Sequence, residues 1–86
     1  MDEEIELRRG DLARQILEND VFTDSFSIIR DNIHKDFENS KSSDSEGREK
    51  CWFQLNALKA IEQHIHSVFD TGKMARAARE ARKPKD

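Results

Sequence analysis

Eighty-six residues make one small domain at most, and a chain of that size buries too little surface to be comfortably stable alone. With 35% hydrophobic and 38% charged residues, the composition suits exposed amphipathic helices rather than a thick core, and no apolar stretch is long enough to cross a bilayer. The net charge of −3 is polarised: residues 73–86 carry +4, which leaves −7 on the first 72 residues.

Residues 2–18 read as a helix. Ile5, Leu12 and Ile16 form a thin apolar stripe, and Asp2, Glu3, Glu4 and Glu6 sit where acids complement the positive helix end. Gly10 interrupts the pattern and marks either a close helix crossing or a break; continuity is the favoured reading. Asn19-Asp20 is a natural punctuation point, since both side chains cap helices or stabilise turns.

Phe22, Phe26, Ile29, Ile33 and Phe37 recur at steps of four, three, four and four, which predicts a second helix over 21–38. The polar stretch after it, with the loop placed at 39–44, is rich in serine and carries no large apolar residue. The spacing Ser43-x-x-Glu46 nominates Ser43 as the next helix cap.

The longest patterned segment follows, predicted as a helix over 44–70. Trp52, Leu55, Leu58, Ile61, Ile65, Val68 and Phe69 fall near one face of a 3.6-residue repeat. Asp70-Thr71-Gly72 reads as its end, with Gly72 in a terminating position. The basic tail 73–86 has helix propensity but almost no apolar face, so it is expected to be frayed or weakly helical, and Pro84 stops it. The fold class that results is all-α, a helical domain over 1–72 plus the tail. Its arms pair as an antiparallel hairpin or close into a small three-helix bundle, with Phe37 near Trp52 and Ile29 and Ile33 near Leu55 and Leu58.

Catalysis finds no footing. His64 and His66 are two apart on a helix and point roughly 200° apart, so one metal ion cannot readily take both. Cys51 is the only cysteine, which excludes an internal disulfide, and it reads as a small half-buried thiol rather than a nucleophile. There is no Gly-rich phosphate loop and no nucleophile–base–orienter set. The chain is therefore read as non-enzymatic, with no cofactor and no metal. The N-terminus lacks a secretory layout, and an unpaired cysteine fits a reducing compartment, so the expected location is a cytoplasm.

Two surfaces are candidates for contact. Arg76, Arg79, Arg82 and Lys83 form a basic strip suited to phosphates, to an acidic protein surface or to the Asp2–Glu6 cluster of a neighbouring copy. Ile5, Leu12, Ile16 and Trp52 are the candidate apolar interface, although Trp52 and the phenylalanines read first as core. A protein partner, self or other, is expected, and so is a homo-oligomer. The alternatives are a nonspecific nucleic-acid accessory acting through the tail and an inhibitor of a host enzyme acting through the acidic faces.

Arg9-Gly10 with Ala13 and Leu17, then Asn19, Phe22 and Phe26, Gly47-Arg48-Glu49 before Trp52, and Asp70-Thr71-Gly72-Lys73 carry a further signal. Over most of residues 8–73 the chain resembles short helical proteins of tailed bacteriophages, often encoded among packaging and head genes. The resemblance implies a virion-associated or packaging-accessory role, in the host cytoplasm or the virion, and brings no catalytic residues with it.

Overall fold

A computed structural model describes residues 2–84; Lys85 and Asp86, the end of the expected tail, lie outside the described residues. These residues form three helices, α1 (Glu3–Leu17), α2 (Asp20–Asn39) and α3 (Ser45–Ala81), and no strand. The chain is all-α, as its periodicity requires.

Each helix starts on a side-chain cap. Asp2 accepts a hydrogen bond from the Glu4 amide at 3.0 Å, and Glu3, Glu4 and Glu6 occupy the first turn of α1. Gly10 sits inside α1 without breaking it. Asn19 separates the first two helices, and its carboxamide accepts from the Phe22 amide at 3.0 Å to start α2. Asp44, not Ser43, caps α3: its carboxylate accepts from the Gly47 amide at 3.0 Å. A carboxylate offers this amide a charge-assisted bond that a serine hydroxyl does not match.

The larger departure concerns α3. It does not end at Asp70-Thr71-Gly72 but continues as helix to Ala81, with Arg82 as its C-cap. No glycine among the described residues has a positive φ, so Gly72 is helical, not a terminator. The reason lies across the seam. A Cβ built on Gly72 would come 2.7 Å from the Gly10 Cα, and one built on Gly10 would come 2.7 Å from the Gly72 Cα. The two glycines form one close crossing, and the segment expected to fray is held as roughly the last two and a half turns of α3.

That extension decides the architecture. α3 spans 37 residues, about 55 Å at 1.5 Å per residue. α1 packs antiparallel on its C-terminal half and α2 on its N-terminal half, and α1 and α2 barely touch each other. The molecule is an open hairpin with extents of 68 × 23 × 18 Å, one arm continuous and the other jointed at Asn19. The two short helices do not fold back on each other, because α3 is long enough to receive both of them end to end.

The seam follows a coiled-coil rhythm. Cys51, Leu55, Leu58, Glu62, Ile65, Phe69 and Gly72 alternate in steps of four and three, and all are buried or half-buried. A repeat of 3.5 keeps one row facing a long antiparallel neighbour, whereas the 3.6 row through Trp52 and Ile61 drifts out of it. Trp52 is accordingly 58% exposed, not core, and stacks edge-on with Phe53 at 5.1 Å between centroids. Phe37 meets the Arg48 guanidinium instead, 4.7 Å from its ring centroid.

The two halves of the seam differ in closeness. Gly10, Ala13, Gly72 and Ala75 let the α1 and α3 backbones approach tightly, while Phe, Ile, Leu and Arg side chains hold α2 further off. Among the described residues only Ala13, Ile33, Cys51 and Ala75 are buried hydrophobic ones, and no large side chain is fully enclosed.

Candidate interaction surface

The basic strip is occupied by its own chain. Arg79 Nε donates to Glu3 Oε1 at 3.0 Å, and a second Arg79 nitrogen donates to Glu4. Arg82 Nη2 donates to both Glu3 carboxylate oxygens, at 2.8 and 2.7 Å. Lys83 pairs with Glu80 at 3.5 Å. The contact expected with a neighbour's acidic cluster is thus made within one molecule, because the helical extension carries the arginines back to the start of α1.

The clasp bears on the protonation equilibria of its own groups. The hydrogen bonds from Arg82 and then Arg79 hold the Glu3 carboxyl below its ordinary value of 4.5, and Glu4 first and Glu3 second push the Arg79 guanidinium upward. A second charged cluster lies one turn beyond the glycine crossing. Arg14 bonds Asp11 at 2.9 Å and Glu18 at 2.7 Å, and its hydrogen bond, followed by that of Gln15, lowers the Asp11 carboxyl below 3.8. Arg76 lines the adjoining groove with Asp11, Arg14 and Lys73, and it is the one member of the predicted strip that makes no ion pair among the described residues.

The histidines fall in different places. His64 lines a groove with Arg9, Leu12, Ala13, Ile16, Ile65 and Val68. His66 lines another with His34, Arg30, Glu62 and Lys59. Arg30 pairs with Glu62 across the α2–α3 seam. No group of three or more metal-binding side chains comes together among the described residues. Cys51 is buried in the seam as a free thiol.

What the hairpin does present is unpartnered apolar surface. Ile5, Leu12 and Ile16 of α1 are 47%, 52% and 40% exposed, in keeping with their thin stripe. Leu12 and Ile16 share the groove named above with Ile65 and Val68, and Ile61, half-exposed, stands seven residues before Val68 on the same stripe of α3. Glu6, Arg9 and His64 line its continuation with Ser67, Val68 and Thr71. Trp52 lies away from it, beside Phe53 near the loop. A 3.6 spacing turns Ile61 and Val68 inward together with Leu58 and Ile65. The signal that separates them from the seam is the competition between a 3.5 and a 3.6 repeat, which becomes visible only once the partner helix is known to run the full length.

Compared with known protein families, with curated proteins and with solved structures, the chain matches none. No helix among the described residues is long and apolar enough to cross a membrane.

Proposed function

We propose that this chain is a small non-enzymatic interaction and assembly protein of the tailed-phage type, which self-associates or docks on a larger complex through its helical surfaces. The observation that carries the reading is surplus surface. The molecule exposes 6910 Å², whereas a compact folded chain of 10.0 kDa exposes about 5,200 Å². The excess, roughly 1,700 Å² on one chain, is about twice the ~800 Å² that each partner buries in a standard-size interface. Large apolar side chains such as Leu12, Ile28, Trp52 and Ile61 stand exposed, in a molecule with almost no enclosed core of its own.

The tailed-phage assignment rests on the sequence resemblance. The reading of the tail as a nucleic-acid strip loses support, since Arg79 and Arg82 are committed to Glu3 and Glu4 and retention on DNA or RNA would have to break that clasp. Light scattering at micromolar concentration, joined to capture of the tagged full chain from infected cells, tests the proposal. A multimer, or a virion or packaging component identified in the captured material, supports it. A stable monomer that retains nothing sinks it.

A further inference from the structure

We infer that the flank carrying Leu12, Ile16, Ile61, His64 and Val68 is occupied by a second copy of this chain, turned about a two-fold axis that crosses α3 near His64–Ile65, to give an antiparallel four-helix bundle. This deepens the interaction reading above and rests on it.

Three observations select a second copy over an unrelated partner. The first is area. The surplus of roughly 1,700 Å² on the whole chain leaves room for each copy to bury the ~1,000 Å² per partner at which permanent homodimer interfaces begin. The second is position. α3 runs from Ser45 to Ala81, so an axis near His64–Ile65 falls close to its midpoint, and two hairpins of 68 Å overlap along nearly their whole length. A two-fold contact requires one patch to complement itself. An axis placed there sets Ile61 of one copy against Val68 of the other, both members of the same stripe.

The third observation is what the jointed arm adds. α1 lies beside the C-terminal half of α3, fixed by the Gly10–Gly72 crossing, and α2 lies beside the N-terminal half, fixed by Arg30–Glu62. Rotation about the axis therefore lays α1 of one copy over α2 of the other. Ile29 is on the flank of α2 away from His34, and it is 45% exposed. The registers of the two seams bring Ile29 of the second copy over Leu12 and Ile16. Asp36 stands seven residues after Ile29, two helical turns along the same flank, and is exposed. The same registers set Arg9 opposite Asp36 of the second copy, and neither residue makes an ion pair within its own chain among the described residues. Apolar side chains meet apolar ones, and a free cation meets a free anion.

Site-specific cross-linking of the full chain tests the axis. His64→Cys places a thiol on it and Lys59→Cys places one on the opposite flank, while Cys51, 6% exposed, is shielded from reagent. With a short bis-maleimide, H64C is expected to run as a covalent dimer and K59C as a monomer. Ile61→Asp, at a half-exposed position, is expected to halve the solution mass while circular dichroism keeps its helical signal. Dimer formation by K59C but not H64C would overturn the assigned face and leave self-association standing. A helical monomer that captures a phage or host component would overturn the second copy and leave the interaction reading standing. A monomer without any partner would overturn both.

Discussion

At the scale of single residues, two contacts hold together the end of the hairpin where the termini meet, and each makes a prediction. Gly10 and Gly72 touch through backbone atoms, so a methyl group on either has no flexible neighbour to push aside. Alanine ordinarily favours a helix over glycine by about 1 kcal/mol, but here the two helices would have to separate, with an overpacking cost of about 1–3 kcal/mol. Gly72→Ala is therefore expected to lower the thermal midpoint at fixed concentration, where an exposed helical glycine would raise it. The Glu3 clasp gives the pH dependence. Its carboxyl is depressed below 4.5, so the stability it contributes is complete above 4.5 and is lost as pH falls through the depressed value. Asp11 adds loss of the same sign below 3.8. Acid titrations of the unfolding midpoint should fall in this window, and Glu3→Gln should flatten the part that begins near 4.5.

At the scale of elements, the first two helices are legible in the sequence because their signals are local. Acidic residues and Asp2 start α1, Asn19 punctuates, and Phe22 to Phe37 repeat at helical steps. α3 is legible in type but not in length. Gly72 has the identity of a terminator, and only its contact with Gly10, 62 positions earlier, shows that it is a crossing point. The apolar face of the tail is absent for a related reason: small residues and salt bridges hold Lys73–Ala81 to α1, and neither produces a hydrophobic stripe. Likewise a 3.6 repeat places Trp52 in the core, while the antiparallel seam selects Cys51 and Leu55 and leaves the indole outside. The start of α3 gives a clean test. Asp44→Ala removes the acceptor of the Gly47 amide and should destabilise the fold by about 1 kcal/mol, whereas Ser43→Ala should be close to neutral.

At the scale of the whole molecule, the candidate surface is partly legible. Ile5, Leu12 and Ile16 stand out in the sequence as a stripe in need of a partner, and they are exposed. The basic strip stands out too, but its partner lies inside the chain, and nothing local in the sequence says that residue 79 returns to residue 3. Once it does, the charged end of the molecule is satisfied internally and the unsatisfied surface is apolar. An open hairpin with four buried hydrophobic residues among those described gains stability from a second copy, so the unfolding midpoint should rise with protein concentration. Sedimentation equilibrium of the full chain across the micromolar range tests this most directly. The expected mass is about twice the 10.0 kDa of the chain, falling toward one chain only on dilution. A folded species of 10.0 kDa at every concentration, with a concentration-independent midpoint, would contradict it.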